Sequence, residues 1–103
     1  MIRLVYSPCP GEDCAREIAA KLLEERLVAC VNILPGVRSL YRWEGKLCDE
    51  TECVLLAKTR EELASQVQAR IAALHPYDCP CVITLPVTDA HPPFTQWITD
   101  ETS

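Results

Sequence analysis

No apolar run in this 103-residue chain approaches the ~20 residues that a membrane-spanning helix needs. The N-terminal stretch MIRLVYSPCP lacks signal-peptide architecture, because its apolar piece is far too short. Both absences lead to the expectation of a soluble, cytoplasmic protein. A basic stripe is missing too: 10 Lys and Arg stand against 15 Asp and Glu, a formal net charge of −5. Such a chain is a poor binder of nucleic acid and is not drawn to an anionic membrane. No G-x-S-x-G, P-loop or H-E-x-x-H motif occurs. No C-x-x-C…C-x-x-C framework occurs either, which argues against a structural zinc knuckle. Without an internal repeat, low-complexity segment or linker, a single domain over residues 1–103 is expected.

What is present begins with 7 cysteines: Cys9, Cys14, Cys30, Cys48, Cys53, Cys79 and Cys81. An odd number cannot all pair within one chain, and without a secretory signal free thiols are the default. Cys30 and Cys53 sit in apolar runs and read as small core residues. Cys9, Cys14 and Cys48 have polar neighbours and read as accessible.

Apolar patterning gives the order of elements. Ile2–Ser7 alternates as a first strand, ended by Pro8, Pro10 and Gly11. Glu12–Arg26 reads as a helix, with Ala15, Ile18, Ala19, Leu22 and Leu23 on one stripe. Leu27–Trp43 is a second strand, bent or bulged at Pro35-Gly36 and followed by a tight turn at Glu44-Gly45-Lys46. Leu47–Lys58 is a third strand, antiparallel to the second. Thr59 and Glu62 fit a capping box for a second helix carrying Leu63, Val67, Ile71 and Leu74, which Pro76 stops. Cys81–Val87 is a fourth strand, and Pro92-Pro93 opens a short helix with Phe94, Trp97 and Ile98. The order β-α-β-β-α-β plus a terminal helix is the α+β, ferredoxin-like pattern. Two helices cover one face of the sheet and leave the other bare, and the second and third strands are long for the domain. Both features point to oligomerisation.

The segments ACVNILPGVRSLYRWEGK, LLAKT and HPYDCP, with a terminal Trp97-Ile98 pair, resemble the CutA divalent-cation tolerance family in order and spacing over nearly the whole chain. The resemblance implies a ferredoxin-like subunit, a tight homotrimer in which strands of neighbouring subunits pair, and no enzymatic activity. It also implies a link to copper tolerance, with copper or another divalent cation bound in some members. Cys30 and Asn32 stand in the family's A-C-x-x-I-P-G segment, Tyr41 and Trp43 in its Y-x-W-E-G-K, Lys58 in its K-T, and His75, Pro76, Tyr77 and Pro80 in its H-P-Y-x-x-P. Two departures remove soft ligands: Ser7 and Leu74 stand where some bacterial members carry Cys and His.

Two candidate sites follow. The first is a metal set of Cys30, His75, Cys79 and Cys81, whose thiols and imidazole suit copper or zinc. The plainer reading makes His75 a helix-end residue and Cys81 a strand residue. The second is an aromatic inter-subunit cleft of Tyr41, Trp43, Lys58 and Tyr77, where Lys58 attracts an anionic metabolite and the protein works as a small-ligand sensor. Its plain counterpart is interface packing, since Tyr and Trp are enriched there anyway. A Cys–His nucleophilic pair at His75 is a weaker third option. The acidic tip Asp49-Glu50-Thr51-Glu52 reads as a solvated strand end, with hard-cation binding as the alternative.

Overall fold

The computed structural model describes residues 1–103. Strand β1 spans Ile2–Cys9, helix α1 Glu12–Glu24, β2 Cys30–Trp43 and β3 Lys46–Arg60. A 3-10 turn at Glu61–Leu63 leads into α2 (Ala64–Leu74), then β4 (Ile83–Pro86) and α3 (Pro92–Glu101). The strands form one antiparallel sheet in the order β2-β3-β1-β4, which is the ferredoxin-like arrangement with an added C-terminal helix.

In α1, Ala15, Ile18, Ala19 and Leu22 recur at helical spacing and all are buried. Its first turn carries Glu12 and Asp13, which meet the positive end of the helix dipole. With Val67 and Ile71 of α2, this stripe closes on Val5, Cys9, Cys53, Leu55 and Ala57 of the sheet. Side chains alternate along strands, so Leu4, Tyr6, Leu56 and Lys58 project from the uncovered face. Helix α3 docks apart from this core, where Ile98 packs with Ile2 and Ala29. The Arg60 guanidinium ties that end down by donating to the Thr102 carbonyl at 2.9 Å.

The bulge expected at Pro35-Gly36 is present. Leu34 pairs with Val54 and Val37 with Glu52, so two residues of β2 stand opposite Cys53 alone. Gly36 has φ of 72°, a left-handed conformation that costs other residues roughly 1–2 kcal/mol. One extra residue reverses the facing of everything beyond it. Before the bulge, Cys30, Asn32 and Leu34 share a face with Lys58, Leu56 and Val54. After it, Val37, Ser39, Tyr41 and Trp43 take that face, opposite Glu52, Glu50, Cys48 and Lys46. The hairpin closes on Glu44 (φ 50°) and Gly45 (φ 78°), the two left-handed residues that a tight two-residue turn requires. The resulting arm stretches the subunit to 45 Å, against 26 and 22 Å across, and leaves Leu40 64% and Leu47 72% exposed.

Three local expectations change. The capping box at Thr59 and Glu62 does not form, because β3 keeps pairing with β1 through Arg60. That ladder carries Thr59 into the core, where its hydroxyl donates to the Leu27 carbonyl at 2.7 Å. Cys9 is fully buried beneath the helices rather than accessible, since β1 runs two residues past Ser7. The fourth strand contracts from Cys81–Val87 to Ile83–Pro86, because the chain after Pro76 is drawn off to the root of the arm.

One fully buried side-chain atom, the Ser7 hydroxyl oxygen, has no hydrogen-bond partner. An unpaired buried hydroxyl costs about 1–3 kcal/mol. Ser7→Ala is therefore expected to stabilise the fold by about 1 kcal/mol in guanidinium titrations. A loss of stability would show that the hydroxyl is bonded in solution.

Candidate functional site

A cleft of about 490 Å³ opens where the arm leaves the domain. The arm supplies Tyr41, Trp43, Glu50 and Glu52; the end of β1 supplies Pro8; the segment after α2 supplies Pro76, Tyr77, Asp78, Cys79 and Cys81. Pro76 places that segment there. It forces His75 out of helical space (φ −75°, ψ 138°), so α2 stops and the chain turns toward the arm.

His75 then fixes the turn. Its Nε2 lies 2.8 Å from the Pro8 carbonyl, and its Nδ1 accepts from the Tyr77 backbone N–H at 3.2 Å. A carbonyl only accepts and an N–H only donates, so the ring is neutral with its proton on Nε2. Tyr77 is held against the His75 ring at 4.6 Å between centroids, and its hydroxyl donates to Glu52 Oε2 at 2.8 Å. Glu52 is only 7% exposed. Burial, and then the hydrogen bond to Glu52, push the Tyr77 phenol well above its ordinary range. Burial and then Glu50 raise Tyr41 as well. Both phenols stay protonated at neutral pH.

The structure gathers only part of each expected site. Tyr41, Trp43 and Tyr77 do line one cleft, together with Cys79 and Cys81. Within one subunit Lys58 lies apart from them: it projects from the uncovered sheet face and bonds the Asn32 side-chain oxygen. Three carboxylates, Glu50, Glu52 and Asp78, stand where an anion was expected, and no basic side chain lines the cleft. Within one subunit that charge disfavours an anion, whereas the expected anion site lies between subunits.

Cys30 is also elsewhere. It pairs with Lys58, four positions along β3 from Val54, the partner of Pro8, and so roughly 13 Å along the strand from the His75 level. Both ring nitrogens of His75 are already engaged. No three His, Cys, Asp or Glu side chains converge closely enough to hold a metal ion within one subunit. Cys30, His75, Cys79 and Cys81 therefore do not form a preformed centre. The Cys–His option loses its base within one subunit for the same reason. Burial pushes Cys9 up to about 12 and raises Cys14, Cys53 and Cys81, with Glu52 adding to the rise at Cys81.

Glu52 is buried, unlike the solvated strand end that its acidic neighbours suggest. A signal was available: alternation puts it on the same face as Val54 and Leu56, one step from the apolar run.

The family described as CutA1 divalent ion tolerance protein matches residues 3–101. A divalent-cation tolerance protein CutA from Thermus thermophilus is 40% identical over 102 residues, 99% of each chain. A protein CutA homolog from Xenopus laevis is 40% identical over 95 residues, which span 92% of this chain and 63% of that one. The crystal structure of CutA from Xylella fastidiosa superposes with a TM-score of 0.96 at 39% identity, covering 99% of this chain and 98% of that one.

Tyr77→Phe leaves Glu52 buried without its donor and is expected to cost about 1–3 kcal/mol at neutral pH. The folded phenol has the higher pKa, so its contribution is full below the unfolded value of about 10 and declines as pH rises toward the folded one. The stability gap between wild type and Tyr77→Phe is expected to narrow above about pH 10 in denaturation curves. A constant gap up to about pH 11.5 would contradict the shift.

Proposed function

The chain belongs to the CutA1 divalent ion tolerance family, and on that premise we propose that it serves divalent-cation tolerance as a non-enzymatic homotrimer whose acidic cleft takes up the cation. One observation carries the cation part: three carboxylates and two thiols line a cleft that holds no basic side chain. Thiols beside carboxylates suit copper or zinc over magnesium or calcium. Cys79 and Cys81 are both exposed and free, so they are the ligands within reach, with Glu52 and Asp78 as neighbouring carboxylates. Because no three donors are gathered in advance, binding is modest and the ligands must move to meet the ion.

The trimer part rests on apolar surface that a single subunit leaves in water. On the arm these residues are Leu40, Trp43 and Leu47; on the uncovered sheet face Ile83 and Leu85 continue the row through Tyr6 and Leu4. Covering a leucine stabilises by about 1.5–3 kcal/mol, so burial of the arm in neighbouring subunits repays association. Both sheet edges, β2 and β4, are also open for pairing. Seven unpaired thiols favour a reducing compartment such as the cytoplasm.

Light scattering is expected to give three times the 11.5 kDa chain mass, and a stable monomer would defeat the assembly reading. In calorimetry under reducing conditions, Cu(I), Cu(II) or Zn(II) is expected to bind the wild type. The double variant Cys79→Ser, Cys81→Ser is expected to bind at least about tenfold more weakly, as loss of ligand thiolates requires. Identical binding by both proteins would remove these thiols from the role.

A further inference from the structure

We propose that Cys9 and Cys53 are an oxidisable cross-strand pair that locks the root of the arm to β1, with Cys14 as the thiol through which the bond forms. The pair lies inside one subunit, on the helix-covered face of the sheet, so it does not depend on the surfaces that assembly covers. Nor does it depend on cation uptake.

Cys9 and Cys53 stand directly opposite each other in the antiparallel β1–β3 ladder. Both are buried in the same core cluster beneath the helices, at 0% and 3% exposure. Residues so opposed have Cα atoms about 4.5 or 5.5 Å apart, inside the range of about 4.4–6.8 Å that a disulfide spans. Their Cβ atoms lie about 4.5–5.5 Å apart, so the strands close by roughly 1 Å to bring two sulfurs into bonding position. Both residues sit where the ladder can give. Cys9 is the last residue of β1. Cys53 has no ladder partner on its β2 side, where the bulge places Pro35 and Gly36 opposite it and Pro35 has no N–H to donate. The bond would tie β1 to β3 beside Pro8, whose carbonyl meets His75, and beside Glu52, which takes the Tyr77 hydroxyl. Oxidation therefore fixes the strand pair from which the arm grows.

Cys14 completes the group. It lies in the first turn of α1, packs against the same cluster and is only half-buried. Cys9 feels both neighbours: burial, followed by Cys14 and Cys53, pushes its thiol up to about 12. The three do not converge as a metal centre, so their chemistry is pairwise. Solvent does not reach the two buried thiols, whereas it reaches Cys14. The oxidant is a small-molecule disulfide such as oxidised glutathione. The Cys14 thiolate attacks one of its sulfurs, the glutathione S–S bond breaks, and one glutathione leaves as a thiol. Deprotonated Cys9 attacks the Cys14 sulfur and expels the second glutathione. Cys53 then attacks the Cys9 sulfur, which forms Cys9–Cys53 and returns Cys14 as a thiol. Two protein thiols lose two electrons and two protons, and two glutathione thiols take them up.

Two samples of the intact protein in excess oxidised glutathione test this, one kept folded and one refolded from guanidinium chloride through the same buffer. Remaining thiols are alkylated and disulfides are mapped by mass spectrometry. A Cys9–Cys53 bond is expected in both samples. Cys14→Ser is expected to slow its formation in the folded protein at least about tenfold while leaving the bonded pair the same. Oxidised wild type is expected to melt at least about 5 °C above the reduced form, a gain absent in Cys53→Ala. Refolded protein without the Cys9–Cys53 bond, or with Cys9–Cys14 as the final product, would overturn the pair. A bond found only after refolding, or an unchanged rate in Cys14→Ser, would overturn entry through Cys14. A bond without a rise in Tm would overturn the lock.

Discussion

A single inserted residue organises this molecule. The bulge at Pro35-Gly36 sets two residues of β2 against one of β3, and side-chain facing reverses beyond it. Tyr41 and Trp43 therefore share a face with Glu50 and Glu52, at the root of the arm where the cleft lies. With an uninterrupted ladder the same rings would sit on the opposite face, and the carboxylates would stand alone. The left-handed Gly36 lets the chain make this step without the steric cost that a side chain brings. Backbone register thus brings the arm's rings and carboxylates to one face.

The other half of the site comes from the far end of the chain by way of His75. Its ring bridges the Pro8 carbonyl and the Tyr77 amide, so it staples the end of β1 to the segment that follows α2. Tyr77 then reaches Glu52 across the cleft. A residue type that invites a metal or catalytic reading serves here as a neutral brace with both nitrogens used. Four ion pairs balance charge locally, among them Arg70 with Glu25 at 2.8 Å and Arg38 with Asp49 at 3.0 Å on the arm. Glu52 is the one buried carboxylate, in no ion pair and held by the Tyr77 hydroxyl.

Much of the fold was legible because hydrophobic periodicity reports burial directly. The stripe in α1, the stop at Pro76, the tight turn at Glu44-Gly45 and the bulge itself all follow from residue type and local sterics. The misreadings share one cause, competition from distant partners. Thr59 fits a capping box by spacing, yet the ladder with Arg3 claims its backbone and the Leu27 carbonyl claims its hydroxyl. Cys81 looks like a strand residue until the cleft draws its segment away from the sheet. Cys30, Lys58 and His75 lie near other candidates in motif order, but strand pairing separates them in space.

The sequence by itself determined the element order, the helix-covered core, the location of the bulge and the family to which the chain belongs, because each depends on local pattern or on motif order along the chain. Only the tertiary structure decided the acidic lining of the cleft within one subunit, the burial of Glu52, the engagement of both His75 nitrogens and the placement of Lys58 on the uncovered sheet face. Those properties belong to pairs of residues far apart in the chain. Which pairs meet is fixed by sheet register and chain reversal, and no single segment encodes either one.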